Sequence, residues 1–356
     1  MSTINVVGTA PDWPAIRAAV AEGLITERRH PDRDPLRIYN YTAKAQYDRA
    51  WTQATLISRG LIAEDERVVA RAFPKFFNLD EIGLDNLPLH EPFEVREKLD
   101  GSLGILYRID GEPRISTRGS FESPQAAVGT DVLRERYLSR WEPDPTLTYL
   151  FEIICPESRV VVDYGDRRDL VLLDVLVTAT GEQVSRAQWS DVPFEIAEHH
   201  GDSLDLAGLP ERPNSEGYVV TFASGVRAKV KHAEYVRLHK ILTGVSSRTV
   251  WEYLRDGRDL NELVELVPDE FHAWLRGEQE SVQGAFDDLS KRASEAFKTK
   301  PDTDDRRTIA EQFKTFPAPL PSLLFGMLDG RDVSPLIWKH VEPERRVFSA
   351  AEAAAA

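Results

Sequence analysis

A single cysteine, Cys155, stands in a chain of 356 residues. One thiol can form neither an internal disulfide nor a thiolate metal cluster, which agrees with a reducing compartment. Its apolar setting, FEIICP, reads as a buried, inert side chain. Long apolar runs are missing too: no stretch approaches the ~18 residues of a membrane span. The start, MSTINVVGTAPDWP, lacks the basic and apolar regions of a signal peptide. The expectation is a cytoplasmic protein with no membrane partner. An excess of basic residues is also absent, since 44 Lys and Arg face 59 Asp and Glu, for a formal charge of −15. Such a chain does not coat nucleic acid non-specifically, because each phosphate contact needs Lys or Arg. A polyanion site must then be local. No repeat of period 20–50 is found, and the one low-complexity stretch, AAEAAAA, reads as a flexible tail over 350–356.

What is present is the composition of a globular protein, 42% hydrophobic and 29% charged. At ~150 residues per domain, the length suits about two. Asp12 to Ile25 reads as helical, and QYDRAWTQATLISRG, after Tyr39, Tyr41 and Tyr47, as helical or mixed. From Val68 to about Lys231 the texture becomes short β-type runs: VVARAFPKFF, LGILYRI, PRISTRGSF, LTYLFEII, RVVVDY, LVLLDVLV, EGYVVTF and VRAKVKH. Asp100-Gly101, Asp110-Gly111 and Ala223-Ser224-Gly225 punctuate them as hairpin turns would. A helical patch is expected around Ser185–His200. Beyond about Val245, Trp251, Leu254, Leu263, Leu266, Val267, Phe271, Trp274, Leu275, Val282, Phe286, Leu289 and Phe297 recur at helical spacing. The predicted class is α+β, with antiparallel sheets and flanking helices over 1–244, an all-helical domain over 245–349 and the tail.

The most informative strand is VRAKVKH. With a side-chain period of two, Arg227, Lys229 and Lys231 share one face. That face is either solvated or an anion site, since lysines on a rigid strand neutralise phosphate as fixed point charges. Glu216, in EGYVVTF, can face the same cleft across a tight turn. Glu152, flanked by apolar residues in LTYLFEII, is either salt-bridged in the core or aimed at a ligand hydroxyl or metal. Lys98, in EKLDGSLG, is by itself an ordinary residue before a hairpin. As a nucleophile it must be neutral, although a free lysine has a pKa of ~10.4. Burial and neighbouring cations such as Lys229, Lys231 or a metal favour the neutral amine.

In order along the first 240 residues stand RIYNYT, SRGL, FPKFFN, EKLDGSLG, STRGS, FEIICPESRVVV, EGYVV and KVKHAEY. This series resembles the ATP-dependent RNA ligases of the phage T4 RNA ligase 1 type, within the covalent nucleotidyltransferases. The resemblance implies that Lys98 attacks the α-phosphorus of ATP to form lysyl-AMP. The AMP then passes to an RNA 5′-phosphate, and an RNA 3′-hydroxyl displaces it to seal the strand. It further implies Glu152 on the adenosine ribose, Glu216 near a divalent metal (Mg²⁺ or Mn²⁺), directly or through water, and Lys229 and Lys231 on the phosphates. Arg59 and Lys75 would engage the triphosphate, and Tyr41 and Phe77 would lie near the nucleotide. Gly101, Ser102 and Tyr235 are further carry-overs into the ATP site. Arg118 joins them, standing where the family is expected to carry lysine. The implied partners are RNA ends, with nicked tRNA and an end-healing kinase-phosphatase as candidates. The helical domain carries no motif that maps onto the family, so its role as an RNA-specificity module is an expectation only. Another nucleotidyltransferase class, mRNA-capping or DNA ligase-like, and a non-catalytic RNA-binding relative stay open as alternatives.

Overall fold

The computed structural model describes residues 6–156, 161–189, 191–202, 205, 208–266 and 272–344. The chain divides into two units, Met1–Leu242 and Thr243–Ala356.

In the first unit, β1 (Ile25–Arg29), β2 (Leu36–Tyr41), β3 (Arg59–Glu64) and β4 (Arg67–Ala70) form an antiparallel meander in sequence order. The later strands are β5 (Phe77–Asn78), β6 (Phe93–Lys98), β7 (Ser102–Ile109), β8 (Glu112–Ser116) and β9 (Leu147–Ile154). They are followed by β10 (Asp169–Val177), β11 (Glu195–Ile196), β12 (His199–Gly201), β13 (Gly217–Phe222) and β14 (Arg227–Lys231). These ten make two five-stranded sheets, ordered β11-β10-β9-β7-β8 and β12-β6-β13-β14-β5.

Each five-stranded sheet departs from the expected antiparallel pattern at one edge, where β11 runs parallel to β10 and β5 parallel to β14. Neither edge strand is joined to its neighbour by a hairpin, so no tight turn dictates an opposite direction. Three strands precede the expected β region. The first of them, ITERR, buries little beyond Ile25, which leaves no clear alternation of polar and apolar residues to read. The patch at Ser185–His200 is not a helix: a single 3₁₀ turn, Arg186–Gln188, leads into β11 and β12. Conversely, Ser123 caps an unexpected helix, α-helical over Pro124–Val132 and π-helical over Leu133–Tyr137. Serine at the cap with proline at the first helical position is the signal that was there to read.

Apolar faces of the sheets close on separate cores. Leu36, Ile38 and Ile62 of the meander pack against Ile105, Tyr107 and Leu150. On the other face of that second sheet, Phe151, Ile153 and Leu172 meet Val132 and Leu133. The third sheet buries Val95, Tyr218, Val220 and Phe222 against Ile82 and Leu87, which leaves its opposite face for polar groups. Cys155 is buried, as expected.

In the second unit, helices span Ser247–Arg255, Asn261–Leu266, His272–Lys298, Arg306–Phe313, Leu320–Leu328 and Ser334–His340. Leu289, Phe313, Leu323, Leu324 and Ile337 form its core. Val267, Phe271 and the tail at 350–356 lie outside the described residues. No helix among the described residues is long and apolar enough to cross a membrane.

Candidate active site

Strand register builds the polar face of the third sheet as successive rungs, because residues directly paired across strands point to the same side. Gly217 pairs with both Lys98 and Lys231, which sets the two lysines on either side of a residue with no side chain. Val219 pairs with Arg96 and Lys229, and Lys229 in turn with Asn78. Thr221 pairs with Glu94 and Arg227.

At the first rung, Glu216 joins the two lysines. Its Oε2 accepts from Lys98 Nζ at 2.6 Å, and its Oε1 lies 3.4 Å from Lys231 Nζ. The Glu216 side chain is 5% exposed, Lys231 10% and Lys98 22%, so the nucleophile candidate is the most accessible of the three. Gly217 makes this closeness possible. It has φ 147°, and a Cβ there would stand 2.0 Å from the carbonyl oxygen of Val230.

The Asp-Gly turn after Lys98 is more than a bend. Asp100 is buried; its Oδ2 accepts from the amides of Val161 and Val162 at 2.9 and 2.8 Å, and its Oδ1 from the Tyr235 hydroxyl at 2.9 Å. Its own amide donates to the Tyr164 hydroxyl at 3.0 Å. Tyr235, expected in the ATP site, thus commits its hydroxyl to Asp100. At Gly101, a Cβ would stand 2.6 Å from the Ile153 carbonyl oxygen and 3.1 Å from Glu152 Cγ, so glycine lets the turn lie against β9. Ser102 opens β7 opposite Ile153 and is half-buried.

Glu152, on β9, faces this turn. Burial pushes its carboxyl up to about 8; Lys98 opposes the rise, and the Glu216 and Asp100 carboxylates add to it. A carboxyl that is largely protonated at neutral pH can donate as well as accept, which suits it to a sugar hydroxyl.

Tyr41, Arg59 and Arg118 form a second group. Arg118 Nη1 donates to the Tyr41 hydroxyl at 3.0 Å, with its guanidinium 5.1 Å from the ring centroid. Arg59 stacks on Phe73 and Phe76 at 4.9 and 5.7 Å; burial pulls its pKa down, while Tyr41 and Glu152 work in the other direction and Arg118 adds to the fall. Lys75 is buried with its Nζ 5.6, 5.6 and 5.3 Å from the rings of Tyr41, Trp51 and Phe77, a cation held among aromatic faces.

Arg227 shares the face of Lys229 and Lys231 but is tied into the scaffold. It is buried, ion-paired to Asp174 of β10 and stacked at 5.1 Å on Phe73, and Gln183 donates to the same carboxylate at 3.1 Å. The row is therefore neither a solvated face nor a uniform anion site. The clue was Asp174, a charged residue inside the apolar run LVLLDVLV, the same signal that singled out Glu152. Trp51 and Phe73 likewise escaped notice, since aromatics in helical or apolar stretches read as core.

No group of three or more His, Cys, Asp or Glu side chains among the described residues is arranged to hold a metal ion. With both oxygens of Glu216 facing lysines, that residue fits a metal best through water.

A sequence model described as RNA ligase, of the T4 RNA ligase 1 type, matches residues 57–235, the span that holds every group above except Tyr41 and Trp51. The chain belongs to the RNA ligase family. Within it, an RNA ligase of Rhodothermus phage RM378 is 22% identical over 367 aligned positions, covering 79% of this chain and 81% of that protein. A Thermovibrio ammonificans protein provisionally described as an RNA ligase is 29% identical over 194 residues, half of each chain. A protein of Autographa californica nuclear polyhedrosis virus, provisionally described as a bifunctional polynucleotide kinase/RNA ligase, is 26% identical over 223 residues, 51% of this chain and 30% of that one. The chain thus spans half or less of the length of two of these three relatives.

Proposed function

We propose that this RNA ligase family member is an ATP-dependent RNA ligase working through lysyl-AMP. The observation that carries the reading is Glu216 shared between Lys98 and Lys231, beside a carboxyl and a group of stacked cations that suit a nucleotide. In the first step the Lys98 amine forms a P–N bond to the α-phosphorus of ATP while the α–β P–O bond breaks and pyrophosphate leaves. Glu216, within hydrogen-bond distance, takes the proton that Lys98 gives up. Lys231 holds the α-phosphate, Lys229, Lys75 and Arg59 the rest of the triphosphate, and Glu152 the ribose. Positioning and charge neutralisation carry most of the catalysis in such transfers.

In the second step an RNA 5′-phosphate oxygen displaces Lys98 from the AMP, and the lysine regains its proton. In the third, an RNA 3′-hydroxyl attacks that 5′-phosphate and releases AMP. A divalent cation, Mg²⁺ or Mn²⁺, would shield the triphosphate charge, with Glu216 reaching it through water. The substrate is RNA with 3′-hydroxyl and 5′-phosphate ends, nicked tRNA among the candidates, in a cytoplasmic repair role. A kinase that heals the ends is in keeping with the baculovirus relative's description.

Incubation with α-labelled ATP and Mg²⁺, followed by denaturing electrophoresis, should leave label on the wild-type chain and none on Lys98→Ala. An unlabelled wild type, or label that survives the substitution, would overturn the proposal. Label from GTP in place of ATP would move it to the capping class. Faster sealing of a nicked anticodon stem-loop than of an unstructured oligoribonucleotide would support tRNA as substrate.

A further inference from the structure

Asn78 ends β5 and precedes a short helix, Leu79–Ile82, as its cap residue. It is 2% exposed, and among the described residues its side-chain Nδ2 has no hydrogen-bond partner. Its backbone N–H is satisfied, donating to Glu81 Oε2 at 3.3 Å. A buried amide without partners costs free energy, and native proteins keep few of them without a reason.

Register supplies the reason. Asn78 is paired with Lys229 across the parallel β14–β5 edge, so its side chain shares the polar face that carries Lys98 and Lys231. Lys75 lies three residues earlier. An unpartnered N–H donor next to lysines suits a phosphate oxyanion. Lys229 and Asn78 stand two residues along the strand from the Lys98–Lys231 rung, about 7 Å at the ordinary strand rise. That is too far for oxygens of a phosphate held at Lys98 Nζ, and it suits the next phosphates in the chain.

We propose that Asn78 is a further ATP-contacting residue, its amide donating to the β- or γ-phosphate, the part that departs as pyrophosphate. This rests on the ATP-dependent reading above. Asn78→Ser and Asn78→Asp both lose the amide donor, while serine and aspartate remain good helix caps. The expected result for each is a rise of about tenfold or more in the KM for ATP during lysyl-AMP formation, the loss typical of a hydrogen bond to a charged group. Sealing of pre-adenylylated RNA, which contains no pyrophosphate, should be unchanged, as should the thermal midpoint. An unchanged KM in both variants overturns the inference and leaves the functional reading standing. So does an equal loss in sealing pre-adenylylated RNA, which would assign Asn78 to the scaffold. A wild type that takes no label from ATP overturns the reading and, with it, the inference.

Discussion

Lys231 and Arg227 stand four residues apart on one strand and one face, yet they have opposite fates. Arg227 is closed off: Asp174 pairs with it, Phe73 stacks on it, and both charged side chains are about 5% exposed. Lys231 shares Glu216 with Lys98, which reaches solvent. The guanidinium offers a planar fork that a carboxylate and a ring can hold permanently, whereas an ammonium is a compact charge that exchanges partners readily. At one end a finished ion pair ties two sheets together; at the other a shared carboxylate holds two amines side by side, the arrangement the proposed function uses.

Substitutions at the two ends should separate these roles. Asp174→Ala leaves Arg227 buried without its carboxylate and should destabilise the protein by about 3–5 kcal/mol. That is a fall of roughly 10 °C in Tm by calorimetry. Lysyl-AMP formation by the molecules that remain folded should stay within about twofold of wild type. Glu216→Ala should show the reverse, with adenylylation down by roughly 10² to 10³. Its stability should fall by less than that of Asp174→Ala, because Lys98, the more accessible of the two lysines, can hydrate when the carboxylate is removed. If both variants fail mainly by unfolding, the contrast is lost.

Glu152, across from the lysines, gives a pH test. Its carboxyl is raised in the folded state from 4.5 to about 8, so the wild type loses stability as pH climbs through that interval, where the unfolded chain ionises freely. Glu152→Gln should therefore match the wild type near pH 4 and exceed it by on the order of 5 kcal/mol at pH 9, read from urea midpoints. The smallest effect is expected for Tyr235→Phe. It removes one of the three hydrogen bonds to the Asp100 carboxylate and should cost about 1 kcal/mol in the same titration.

The helical second unit was legible in outline, since Leu275, Val282 and Leu289, spaced for one helical face, are buried, as is Trp251 on an earlier helix. In the first unit the strands in LGILYRI, LTYLFEII and LVLLDVLV were legible as well, whereas the described part of RVVVDY, Val161–Tyr164, forms no strand. Short edge strands such as Glu195–Ile196 were not, because their place depends on a neighbour far away in sequence.

Lys98, Glu152, Glu216, Lys229 and Lys231 could be picked out as candidates from residue types and motif order, because the proposed chemistry needs particular side chains next to particular turns. Whether a given charge serves the site or the scaffold was decided only by the fold. Asp174 comes from another sheet to neutralise Arg227, and Tyr235 comes from a helix to hold Asp100. Among the described residues no acceptor meets the side-chain Nδ2 of Asn78. Each of those outcomes depends on a partner more than 50 residues away, or on the lack of one. Local sequence carries no record of such distant neighbours.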